Sequence, residues 1–219
     1  TIIDHHASQV RIDGSLSVIA GEVTRVGLRA NLCFEASDRE GPGAGVAGLA
    51  ENERFARELL TQSLEGAGDP HPGENPSKGV TRLGASVGLH ASLTLEDATL
   101  ERAGALAEEL CIGCHVHVAE DTADVEDSVR RSGVRTVNRL ERFGVLDDKS
   151  IAVHCVHIDD EELGILKQTG TTVVHNPQSN MNNAVGIPDV PRMLEAGLLV
   201  GLGTDGFTAS MLDEMKVAN

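Results

Sequence analysis

Short apolar and β-branched runs alternate along this chain with longer stretches in which apolar residues recur every three or four positions. The first pattern reads as strand and the second as amphipathic helix. Strands are predicted at Thr1–Asp4 and over "LRANLCFE" (28–35), "GASVGLH" (84–90), "CIGCHVHVA" (111–119), "SIAVHCV" (150–156), "TTVVHN" (171–176) and "LLVGLGTD" (198–205). Between them, helices are predicted through "GSLSVIAGEVTRVG", "LAENERFARELLTQSLEGAG" (49–68), "TLEDATLERAGALAEEL" (94–110), "TADVEDSVRRSG", "VNRLERFG" and "DDEELGILKQTG", with a short one near "VPRMLEAG". Strand and helix in regular alternation imply βα units around a parallel sheet.

The polar residues then choose between the parallel architectures. Ionisable side chains fall repeatedly at the C-terminal ends of the strands: Asp4, His5 and His6, Glu35, His90, His117 with Glu120, His154, His175 with Asn176, and Asp205. An open doubly wound sheet spreads such ends along a line, whereas a (β/α)8 TIM barrel brings them to one face, where its sites are built. The expected fold class is therefore α/β, a (β/α)8 barrel. Seven strands are predicted rather than eight, and a barrel must close. Because the chain opens inside a strand, the simplest expectation is that strands 2–8 are present and strand 1 is missing. Residues 1–219 then form a partial catalytic barrel from the interior of a longer protein. An unclosed barrel leaves two strand edges bare, and a homo-oligomer is one way to cover them.

Charge and composition narrow the partners. Acidic residues number 34 against 18 basic ones, a formal charge of −16. That excludes the basic footprint needed to neutralise nucleic acid phosphates or an anionic membrane surface. No apolar run approaches the ~20 residues of a membrane-spanning helix. Four cysteines, Cys33, Cys111, Cys114 and Cys155, are too few and too scattered for a disulfide scaffold, so a reducing cytoplasm is the expected location. Without Trp or Tyr and with only four Phe, the core must be aliphatic and a pocket has few rings on which to stack a substrate.

Four segments, "GLHASLTLED", "HVHVAED", "AVHCVHIDDEEL" with "VVHNPQSNMNNAVG", and "GLGTDG", together resemble the amidohydrolase superfamily, in its aminohydrolase (deaminase and chlorohydrolase) branch. The opening "IIDHHAS", with "GLRANLCFEASDREG" and "AGLAENERF", is most similar to the SsnA-like aminohydrolases associated with selenium metabolism. The resemblance implies hydrolytic deamination of a heterocyclic amine, a purine, pyrimidine or related ring, with one divalent metal, Zn2+ or Fe2+. His117 and Asp205 match metal ligands of that family, Asp205 doubling as general base. Glu120 matches its proton carrier, His154 the histidine that orients the attacking oxygen, and His90 a histidine on the substrate side. The family's small flanking β-sandwich domain is not expected within this chain. Two further ligands, a His-x-His ending strand 1, would lie upstream of Thr1. Asp4-His5-His6 is no substitute, since neighbouring strand residues point to opposite faces while i and i+2 point together. With two ligands of four, this chain is expected to bind metal weakly. Strand 4 ends in His90 and offers no lysine to bridge a metal pair, which favours a mononuclear site.

The remaining polar residues have plainer readings. His115, His157, His5 and His6 read as structural or supporting, and His175 as either structural or substrate-facing. Asn176, Gln178, Ser179, Asn180 and Asn183 could read a polar substrate, with His175, Asn176, Ser179 and Asn180 as the foremost candidates. His71, in a Pro/Gly-rich loop, reads as solvated. Cys111-x-x-Cys114-His115 spells a haem-attachment motif, but it runs from a helix end into a barrel strand, where haem has no room, so packed thiols are expected instead. "GAGVAG" (43–48) matches a dinucleotide-binding loop, yet it follows a polar loop with Pro42 rather than a strand, so neither NAD nor haem is expected. Two alternatives stay open. One is a metal-free barrel that binds or scaffolds. The other is chlorohydrolase or amide hydrolysis with the same residues.

Overall fold

A computed structural model describes residues 1–41, 43–65 and 82–219, with the backbone alone for 63–65; His71 lies outside them. Strand β1 (Ile2–His6) leads through α1 (Ser15–Arg25) to β2 (Ala30–Phe34), α2 (Ala44–Glu65), β3 (Leu83–Ala85) and β4 (Val87–Ala91). Next come α3 (Asp97–Leu110), β5 (Cys114–Val118), α4 (Thr122–Ser132) and α5 (Thr136–Arg142). After these follow β6 (Ile151–His154), α6 (Asp160–Thr169), β7 (Thr172–His175), α7 (Pro177–Asn183), α8 (Val190–Glu195), β8 (Val200–Leu202) and α9 (Met211–Val217). All the pairings are parallel, in the orders β1-β2-β3 and β4-β5-β6-β7-β8.

The run predicted as one strand over 84–90 is two, interrupted at Ser86. β3 pairs with β2, while β4 pairs with β5. The two groups are nevertheless stitched into one curved wall. Ala36 bridges Leu89, the Ser86 amide donates to the Leu32 carbonyl (3.2 Å) and the His90 amide to that of Ala36 (2.9 Å). Asn52 of α2, fully buried, reinforces the seam by accepting from the Phe34 amide (2.8 Å) and donating to the Phe34 and Gly48 carbonyls (2.8 and 3.1 Å). Seven staves thus stand side by side with helices outside, as in a (β/α)8 barrel. Among the described residues no pairing joins β1 to β8.

Apolar side chains fill the layer between strands and helices. One cluster gathers Leu16, Leu32, Phe34, Phe55 and Leu59 under α1 and α2; the larger one runs under α3 to α6. α2 shows why such a sequence is helical, since its inward positions 49, 52, 55, 56 and 59 keep the three-to-four spacing of one helix face. It begins at Ala44, so "GAGVAG" is mostly the first turn and a half of a helix and not a dinucleotide-binding loop. Helix ends follow local chemistry: Asp159 and Glu162 close a capping box on α6, and Gly170 ends it in the left-handed conformation. α7, absent from the predicted elements, starts on Pro177, whose fixed φ suits the first helical position. Among the described residues no helix is long and apolar enough to cross a membrane.

Candidate functional site

Strand alternation aims the key residues. On β5, Cys114, Val116 and Val118 pack outward into the core, so His115 and His117 turn to the barrel interior. The Nδ1–H of His117 donates to the His90 carbonyl at 2.7 Å. A carbonyl can only accept, so the proton lies on Nδ1 and the Nε2 lone pair is left bare. Burial, helped by the His5 and His154 rings, drives the His117 pKa down to about 3, which keeps the imidazole neutral. A neutral ring oriented by a backbone carbonyl is how proteins prepare a metal-ligating histidine.

His154 ends β6 in a left-handed backbone conformation, φ 71°, as does Asp205 beyond β8, φ 51°. Non-glycine residues seldom adopt that region, and such conformations cluster where side chains must be aimed. His154 is fully buried, and its Nδ1–H donates to Asn180 Oδ1 at 2.7 Å. Its Nε2 has no hydrogen-bond partner and faces Glu120 Oε2 at 3.6 Å and Asp205 Oδ2 at 3.8 Å. Burial pushes the Asp205 carboxyl up, but the Ser179 hydroxyl (2.6 Å) and the Gly206 amide (2.8 Å) outweigh it and hold the pKa below the usual value. Asn183 donates to Glu120 Oε1 at 3.0 Å. The His154 and His117 rings stack at 5.5 Å, joining the two halves of the site.

These groups surround a cavity of about 260 Å³ at the strand ends, lined by Glu35, His90, His117, Glu120, Asn183 and Asp205 among others. Of the residues singled out as substrate-facing, His90 lines it, its pKa lowered by burial and its Nδ1 paired with the Thr94 hydroxyl. Ser179 and Asn180 stand behind Asp205 and His154 as their hydrogen-bond partners. Asn176 is buried with its Oδ1 unpaired. His175 faces a second cavity, of about 240 Å³, beside Pro188, Pro191 and Leu194. Asp121, the last residue of "HVHVAED", and Asp124, which no sequence signal marked, also line the first cavity. Asp121 caps α4, and Asp124 accepts from the Leu93 and Ala119 amides. Of the motif cysteines, Cys111 is exposed in the left-handed C-cap of α3, while Cys114 is buried, which pushes its thiol pKa up.

The donor set suits a borderline divalent cation: a bare imidazole nitrogen on His117, a carboxylate held ionised on Asp205, and an orphaned buried nitrogen on His154. Parallel barrel, histidines and carboxylates at the strand C-termini and a small cavity among them together define a (β/α)-barrel of the metal-dependent hydrolase type. The chain belongs to the amidohydrolase family, whose profile matches residues 1–219. A 5-methylthioadenosine/S-adenosylhomocysteine deaminase of Desulforudis audaxviator is 34% identical over 204 residues, 91% of this chain and 43% of that protein. A 5'-deoxyadenosine deaminase of Methanopyrus kandleri is 35% identical over 207 residues, 93% and 44% respectively. Among solved structures, an adenosine deaminase from Xanthomonas campestris with bound Zn superposes with a TM-score of 0.77 at 25% identity, covering 93% of this chain and 44% of that one. Guanine deaminase from C. acetobutylicum, with bound guanine, gives 0.81 at 17%, covering 99% and 50%, a likeness of fold alone. The chain therefore spans a little under half the length of these curated relatives.

Proposed function

We propose that this chain carries most of the catalytic barrel of a hydrolytic deaminase that removes an exocyclic amino group from a purine-like heterocycle, with adenosine-derived nucleosides the first substrates to try. The supporting observation is the convergence of Glu120 Oε2 and Asp205 Oδ2 on His154 Nε2, at 3.6 and 3.8 Å, beside one cavity. His117 and Asp205 would hold the metal, Zn2+ first. Such an ion, when bound, brings the pKa of water near neutrality. The residues do the rest. Asp205, ionised and fixed by Ser179, accepts the proton of the attacking water. His154, locked by Asn180 with Nε2 toward the cavity, orients the oxygen by hydrogen bonding. Glu120, steered by Asn183, donates a proton to the ring nitrogen beside the carbon under attack, so that the carbon rehybridises; the proton held by Asp205 then passes to the amino group, which leaves as ammonia while the new hydroxyl returns its proton to Glu120 and becomes the carbonyl. His90 stands on the substrate side. A free small molecule and water are the reactants, in the cytoplasm.

The test is ammonia release by the metal-replete full-length protein from 5'-deoxyadenosine, 5-methylthioadenosine, S-adenosylhomocysteine and guanine. Glu120→Gln is expected to abolish turnover while metal content stays at the parent level. Near-normal turnover in that variant, or no ammonia from any of the four, overturns the assignment.

A further inference from the structure

His5, Glu35 and His117 each present a ligand atom, and the three atoms lie within 4.8 Å of one another. The strand register causes this: β1 pairs with β2 so that His5 sits opposite Cys33, two residues before Glu35, and the His5 ring crosses that of His117 edge-on at 4.9 Å. The hydrogen bonds fix where the protons are. His5 Nε2 donates to the His115 carbonyl at 3.1 Å, so the Nδ1 of neutral His5 is a bare acceptor, and Nδ1 faces Glu35 Oε2 at 3.6 Å. His117 likewise spends its proton on the His90 carbonyl, which leaves Nε2 bare. The other Glu35 oxygen accepts from Arg39 at 2.9 Å. In this tautomer the His5 Nδ1 lone pair and Glu35 Oε2 face each other with no donor between them, beside the His117 ring, an arrangement that repels unless a cation fills it. The 3.6 Å gap is wider than a hydrogen bond but close to the ~3.4 Å edge of a tetrahedron with metal–ligand bonds of about 2.1 Å.

We infer that His5, Glu35 and His117 form a cation site of their own on the β1–β2 side of the barrel mouth, taking a borderline divalent ion such as Zn2+, Fe2+ or Co2+. Two imidazoles and one carboxylate are a donor set these metals accept. The site uses no substrate and does not rest on the deaminase reading, but it shares His117 with it. One nitrogen lone pair serves one ion, so occupancy here and occupancy on the Asp205 side exclude each other.

Co2+ titration of the metal-stripped 219-residue chain, followed by its visible d–d absorption, tests this, with far-UV circular dichroism as the check on folding. Binding of one Co2+ per chain is expected, weakened at least tenfold by His5→Ala and by the isosteric Glu35→Gln, and unchanged within twofold by Asp205→Asn. Affinity indifferent to His5→Ala and Glu35→Gln but lost in Asp205→Asn overturns the inference and leaves the deaminase site standing. Absence of Co2+ uptake by the folded parent chain overturns it too.

Discussion

Asn180→Ala isolates what holds His154 in place. Both side chains are buried to 1% exposure or less, and the 2.7 Å hydrogen bond from His154 Nδ1 to Asn180 Oδ1 has no water to replace it. Deleting the acceptor forfeits a net contribution of about 1 kcal/mol and leaves a ring N–H orphaned in the interior, which costs a further ~1–3 kcal/mol. His154 also loses the partner that offsets its left-handed backbone, φ 71°. A loss of about 2–4 kcal/mol, with a urea dependence of about 2–3 kcal/mol per molar, moves the unfolding midpoint down by about 1–2 M. Urea unfolding followed by circular dichroism reads this directly, and 15N ring shifts of His154 report the tautomer, expected to change from the Nδ1–H form to a mixture. Asn182→Ala, on an exposed helix face nearby, should stay within about 0.5 kcal/mol. A midpoint within about 0.2 M of the parent together with an unchanged His154 tautomer would refute the claim that Asn180 orients the ring.

Asp124 supplies a pH signature. Burial raises its carboxyl to about 6, against the pull of the Ala119 and Leu93 amides. The folded state therefore binds this proton more tightly than the unfolded one, and the group's contribution to stability is fully present below about pH 4 and lost as pH rises through 6. The stability difference between parent and Asp124→Asn is expected to shrink across that window by up to about 3 kcal/mol, and a difference independent of pH contradicts the shift. Gly88→Ala tests the seam between β2 and β4. A Cβ there would run into the Phe34 carbonyl, which is backbone and cannot swing aside, so the cost is at least ~1–3 kcal/mol, and a parent-like thermal midpoint is the contrary result.

Much of the barrel was legible before any tertiary contact was known. Apolar runs and amphipathic stretches mark six of the seven staves and most helices, because burial on both faces of a parallel strand and on one face of a helix leaves a periodic trace. His117, Glu120, His154 and Asp205 could be read as one set from their recurrence at strand ends, since the barrel topology alone carries those ends to one mouth. Contacts between segments distant in sequence leave no such trace. The break at Ser86 follows from two different neighbours competing for one run, and the early start of α2 follows from packing that tolerates glycines in a helix. Whether Ser179 and Asn180 face a ligand or brace Asp205 and His154 is set by the placement of α7. His5 is the plainest case. Local alternation could say only that it and His6 point opposite ways, whereas the pairing of β1 with β2 and the curvature of the wall bring it to Glu35 and His117, 30 and 112 residues away. Periodicity is a property of one segment and is written in its residues; convergence is a property of several, and only the folded, curved wall of strands supplies it.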